Sequence, residues 1–210
     1  MSQVDKTPWR VAPLAPGAWH RLAGPEVADM LERVPPLVLA SAPFPLATFT
    51  AQMRSQPVAC LRNWSVLETQ ISSGIGHCAV LRLLVDASNT LPLDGSGAPF
   101  HIVGQDDFLA DRLSDPRAAV QYLRIYVGSI HSNGKAFHLC RAARDFAVMP
   151  GSSGSVTCRT HVQHDGQLFE TLFAIAGDGD VRILNDHFVR RCARQRVGTL
   201  LGPWQVIGLH

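Results

Sequence analysis

A chain of 210 residues with 46% hydrophobic and 17% charged residues has the composition of a globular protein that folds around its own core. It can bury roughly 70% of the surface its unfolded form exposes, so neither a disulfide framework nor a metal is needed to hold it. A net charge of +2 and the lack of an apolar run near 18 residues argue against a membrane span and against a strongly basic nucleic-acid binder.

Cysteine usage and the N-terminus point to the cytoplasm. Cys60, Cys78, Cys140, Cys158 and Cys192 are odd in number, widely spaced and free of any Cys-x-x-Cys pair. That disfavours a zinc site or a secreted disulfide set and favours reduced thiols. The first residues, MSQVDKTPWRVAPLAPG, lack the apolar core of a secretory signal. Arginine outnumbers lysine 17 to 2. Arginine forks grip carboxylate and phosphate bidentately, which suits an anionic ligand; genome composition is the competing explanation.

Residues 1–24 are rich in Pro and Trp and cannot form regular helix. They read as a wrap over the surface, anchored by Trp9 and Trp19, ahead of a single α+β domain over 25–210 with sub-lobes 25–113 and 114–210 as a finer division. Gly24-Pro25-Glu26 opens a helix whose apolar stripe is Val27, Met30, Leu31 and Val34. Leu37–Ala40 reads as a short strand, and Pro45 to Arg54 as a helix. Val58–Leu61 and Trp64 to Ile71 read as strands. His77 to Asp86 is apolar throughout, and its period does not separate strand from helix. Phe100–Val103 reads as a strand and Asp106 to Leu113 as one or two helical turns.

Ser114-Asp115-Pro116 is a helix start, with a side-chain acceptor followed by Pro at the first position. It predicts a helix over 115–130, ending near Gly134. Lys135–Arg141 is then a strand. His187 to Arg196 reads as a short basic helix, and Thr199 to Leu209 as a closing strand broken at Gly202-Pro203.

The clearest structural statement lies in Ser155 to Asp186. Asp165-Gly166 suits a type I′ turn, in which both central residues need positive φ. A two-residue loop there pairs Val162 with Phe169, Cys158 with Phe173 and Val156 with Ile175. All are apolar or small and alternate with period two, so one face of the hairpin is core. The same register sets His161 opposite Glu170. In the second turn, Gly177 to Asp180, a two-residue loop would mix the faces. Inward Val181 and Ile183 require an odd loop or a bulge.

Val80–Val85 resembles Tyr122–Val127 in pattern, and each precedes a Phe-His-aliphatic triplet, at Phe100 and Phe137. A duplication would make the two halves similar α+β lobes, with 76–88 helical like 115–130.

The candidate chemistry is sparse. His161 and His164 are three apart and face opposite ways on a strand, so they do not chelate, and no metal site is expected. Gly151 to Ser155 lacks the final glycine of a nucleophile elbow. No dinucleotide or phosphate-loop motif occurs, and no cofactor is expected. Arg190, Arg191, Arg194 and Arg196 form a basic cluster without interleaved aromatics, which makes nucleic acid an improbable partner. What remains is His161 as a base oriented by Glu170, with Arg159 and His138 as ligand-binding neighbours on the open sheet face. The competing reading is a solvated face carrying a cross-strand charged pair.

The fold expected is α+β: a curved antiparallel sheet with helices on one face. A helix at 115–130 followed by four strands resembles, in element order, cystatin-like and nuclear-transport-factor-like cones. The function expected is a non-catalytic domain that binds a small molecule or a protein, with a second copy of the chain as a further partner. The alternative is a hydrolase- or isomerase-type enzyme using His161 and Glu170.

Overall fold

A computed structural model describes residues 9–44, 50–72, 78–105, 108–132, 135–139, 145–151, 154–192 and 198–207. The chain begins with β1 (His20–Arg21), α1 (Gly24–Arg33), α2 (Pro36–Ala40), β2 (Thr50–Pro57), β3 (Ser65–Ser72), β4 (Cys78–Val85) and β5 (Thr90–Pro92). It continues with α3 (Ala98–Val103), α4 (Phe108–Leu113), α5 (Pro116–Ser129), β6 (His131–Ser132), β7 (Lys135–Ala136) and β8 (His138–Leu139). The last elements are β9 (Ala147–Pro150), β10 (Val156–His164), β11 (Gln167–Ile175), β12 (Val181–Arg191), β13 (Thr199–Leu201) and β14 (Trp204–Ile207).

The architecture is mixed α+β with antiparallel pairing in two main sheets. The larger runs β1-β2-β3-β4-β14-β13, with β5 also on β4. The second runs β12-β11-β10, and both β8 and β9 pair with the outer edge of β10. Two cores result. In one, Val34 and the α1 stripe pack with Met53, Leu67, Leu81, Leu83 and Trp204 on one face of the larger sheet. In the other, α3, α4 and α5 meet Val66 and Leu84 on one side and Val156, Cys158, Val162 and Phe173 on the other.

Local chemistry explains the elements that match expectation. Asp115 caps α5 by accepting from the Arg117 amide at 2.9 Å. Pro116 follows it, and the helix closes at Ile130; Gly134 lies outside the described residues. Asp165 and Gly166 have φ of 47° and 75°, as a type I′ turn demands. The pairing Val162↔Phe169, Cys158↔Phe173 and Val156↔Ile175 follows. The second turn has an odd loop and a bulge beyond it; Val181 is buried as expected, whereas Ile183, expected to point inward with it, is exposed. Ile175 pairs with Val181 across an odd, five-residue connection, and β12 is bulged between the partners of Leu172 and Phe173, and again between those of Leu168 and Phe169. This connection docks tightly. A Cβ on Gly104 would sit 2.0 Å from the Asp178 carbonyl oxygen. The Tyr122 hydroxyl donates to the Gly179 carbonyl at 2.8 Å.

Other expectations are corrected. Leu37–Ala40 belongs to helix α2, and Phe100–Val103 to helix α3, each with proline in its first turn. From Thr50 onward the expected helix at Pro45–Arg54 is strand β2, because Gln52, Arg54 and Gln56 alternate with Met53 across the sheet; residues 45–49 lie outside the described residues. Val58–Leu61 is a turn, closed by the Leu61 amide on the Val58 carbonyl at 3.0 Å. The described part of Lys135–Arg141 is two short strands, β7 and β8.

In its described part the basic helix expected from His187 to Arg196 is instead the continuation of β12, which pairs with β11 as far as Gln167↔Arg191; residues 193–196 lie outside the described residues. Val80–Val85 lies in a strand, whereas Tyr122–Val127 lies in a helix. The similarity between those segments is therefore one of pattern and not of fold. No described helix is long and apolar enough to cross a membrane.

Candidate functional site

The larger sheet has two unlike faces. Odd positions of β3 and β4 point to the α1–α2 core. Even positions bring Gln52, Arg54 and Gln56, then Glu68 and Gln70, then Arg82, onto the opposite face. Gln205 joins them beside Val80. In register, Arg54, Glu68 and Arg82 form one row across three strands.

Glu68 is fully buried, and its carboxylate is saturated. One oxygen accepts from Arg54, with Nε at 2.6 Å and the terminal guanidinium nitrogen beside it. The other accepts from Arg82 Nε at 3.0 Å and from the Leu14 amide at 3.2 Å. Arg82 also donates through Nη1 to the Gln205 amide oxygen at 2.8 Å. A buried charge is tolerated when its partners and remaining hydrogen bonds are supplied in this way.

Residues 9–19 form a strap over this polar face. The sheet's side chains supply what the strap's backbone lacks. The Arg10 amide donates to Gln70 at 2.9 Å, the Val11 carbonyl accepts from Arg54 at 3.1 Å, and the Pro16 carbonyl accepts from Gln56 at 3.0 Å. Trp9 and Trp19 both lie against the Arg54 guanidinium, at 3.9 and 5.0 Å from the ring centres. Cation–π contact thus pins the strap at the arginine that neutralises Glu68.

Between the strap, the polar face, the end of α5 and β8 lies a cavity of about 550 Å³. Its polar lining includes Arg82 and Gln205 from the larger sheet, Arg124 from α5, His131, His138 and Gln163. Volumes of roughly 300–1,000 Å³ are those of small-molecule sites. The Arg124 guanidinium packs 4.5 Å from the Phe146 ring centre, a cation–π contact. Burial pushes the His131 pKa below its ordinary value, and the nearby Arg82 and His138 act in the same direction against Asp94. His131 is thereby held neutral near pH 7, able to donate or accept.

The residues singled out from sequence separate into two groups. His161 does face Glu170, and His187 continues the row on β12. No hydrogen bond or ion pair joins His161 to Glu170 among the described residues, and Arg159 is exposed. None of these three lines the cavity, whereas His138 does, paired in register with Gln163. Arg82, Arg124, His131 and Gln205 were missed. The usable signal was the polar alternation of Gln52, Arg54 and Gln56, repeated in Glu68 and Gln70. It was hidden by reading 45–54 as a helix.

Among the described residues, no group of three or more His, Cys, Asp or Glu is placed to hold a metal ion. Comparison with family models, curated proteins and solved structures gives no match. The site therefore rests on its own geometry.

Proposed function

We propose that the protein is a non-catalytic binding protein for a small, polar, anionic molecule held under the strap. The observation that carries this reading is the cavity of about 550 Å³ whose walls present Arg82, Arg124, Gln205, His131 and His138. Arginine forks and amide groups are donors to carboxylate and phosphate oxygens. The Glu68 and Gln205 contacts hold Arg82 in one orientation before any ligand arrives, which lowers the entropic cost of binding. Helix α5 laid on the second sheet is compatible with a cystatin-like or nuclear-transport-factor-like cone, although fold alone assigns no function. A catalytic reading through His161 and Glu170 has no contact between them to support it.

Calorimetric titration with small organic acids tests the reading. One-to-one saturable binding is expected, weakened by about tenfold in His138→Ala through loss of a cavity hydrogen bond and left unchanged in His161→Ala. Equal losses in the two variants, or no binding of any acid, would refute it.

A further inference from the structure

We infer that residues 9–14 are a lid: they lift from the polar face as one unit, on a pivot at residues 15–17, and close over the ligand. The inference deepens the binding reading above, on which the closing step rests. Residues 10–14 form one consecutive stretch of the cavity wall. None of residues 9–14 is buried outright, whereas Ala15 beside them is 0% exposed. Lifting the stretch therefore uncovers little apolar surface, and loss of apolar burial is what makes local opening costly.

The groups beneath the lid tolerate its departure. Its main chain is tied to side chains of the sheet: the Arg10 amide donates to Gln70, the Val11 carbonyl accepts from Arg54, and the Leu14 amide donates to Glu68. Water replaces each of these bonds when the lid lifts, and it also hydrates Glu68 and Arg54, so the net cost of breaking them is small. The Glu68 oxygen that accepts from Leu14 is the one that accepts from Arg82. Lid and cavity arginine thus meet at a single atom. A ligand that sits against both Arg82 and the wall formed by residues 10–14 binds the closed state better and shifts the lid toward it.

The pivot, by contrast, is fixed. The Trp19 indole donates to the Ala15 carbonyl at 3.0 Å, and Gln56 donates to the Pro16 carbonyl at 3.0 Å. Gly17 has φ of 133°, in the left-handed region, and a Cβ there would lie 2.2 Å from the Gln56 amide nitrogen. Beyond it β1 pairs main chain to main chain with β2. Next to the pivot the Leu14 side chain seats over Gly128 of α5, where a Cβ would lie 2.7 Å from it, and this sets the closed position. The far end is fastened by the Trp9 ring on the Arg54 guanidinium. A cation–π contact of this kind is a clasp that opens without disturbing the sheet.

The test is residue-resolved hydrogen exchange on the full chain at about pH 7. The Arg10 and Leu14 amides are expected to exchange together, about a hundredfold or more faster than the amides of β4 yet slower than an unbonded amide. Exchange at the β4 rate, or no protection at either amide, overturns the lid. Trp9→Ala, at a partly exposed ring, is expected to speed both amides about threefold and leave β4 unchanged. An effect confined to Arg10, or none, overturns movement as one unit. Succinate is the probe anion, and at about ten times its Kd it is expected to slow both amides about tenfold. Binding of succinate in calorimetry without that slowing overturns closure over the ligand. If neither succinate nor any other small acid binds while the strap opens as stated, the binding reading falls and the hinged strap stands.

Discussion

The two faces of the larger sheet are built on opposite principles. One packs Met53, Leu67, Leu81, Leu83 and Trp204 against α1 and α2 in an ordinary apolar core. The other buries Arg54, Gln56, Glu68 and Gln70 beneath a strap whose backbone they hydrogen-bond. Burying apolar surface stabilises at roughly 25 cal/mol per Å². Burying an ion pair at best roughly breaks even, and the desolvation cost often exceeds the Coulombic gain. The apolar face therefore supplies stability. The polar face has a different use: it fixes the strap and presents Arg82 to a cavity.

Several substitutions break or sharpen that contrast. The largest effect is expected from Glu68→Ala, which strands the buried Arg54 and the partly buried Arg82 and should cost about 4 kcal/mol in chemical denaturation. Replacing the whole row, as Arg54→Met, Glu68→Leu and Arg82→Met together, should instead leave stability equal or raise it by about 1–4 kcal/mol while abolishing acid binding. If the triple variant is as unstable as Glu68→Ala, the polar face contributes to folding and the contrast fails. On the apolar face Leu81→Ala should cost about 3 kcal/mol and leave acid binding intact.

How much of this was legible in the sequence follows from the same contrast. The β10–β11 register was readable because a local turn, Asp165-Gly166, and a period-two pattern agree. The α5 start was readable from a cap that acts two residues away. The cavity was not readable. Its residues come from β4, α5, the segments after it, β10 and β14, and only tertiary packing brings them together. His138 was singled out for its place near His161; its actual setting depends on the short pairing of β8 with β10.

Smaller effects refine the picture. Asp115→Ala should cost about 1 kcal/mol through loss of the α5 cap, read as a lower midpoint in denaturant. The pH dependence has a definite sign. The folded-state pKa of His131 lies below its unfolded value near 6.5, so the unfolded chain binds more protons there. The His131 contribution is present above that value and is lost as pH falls through the folded pKa. His131→Asn should flatten a stability profile recorded between pH 7.5 and 5. The smallest change is expected on the outer face of the second sheet, where His161→Ala should move stability by less than about 0.5 kcal/mol in urea titration.

The two bulges in β12 have a consequence for how the molecule behaves at high concentration. β12 is the longest strand, its outer edge has no partner among the described residues, and it exposes Ile183, Leu184, Phe188 and Val189. A flat strand of that kind would template stacking of chain upon chain. Here the inward–outward alternation slips at each bulge, so Ile183 and Phe188 face the same side although they are five residues apart. A copy laid along the edge cannot keep apolar against apolar for more than a few residues, and Arg182, Arg190 and Arg191 add repulsion. Deleting Leu184 and Val189 together would restore an unbroken alternation, and fibril growth followed by thioflavin fluorescence should then rise sharply.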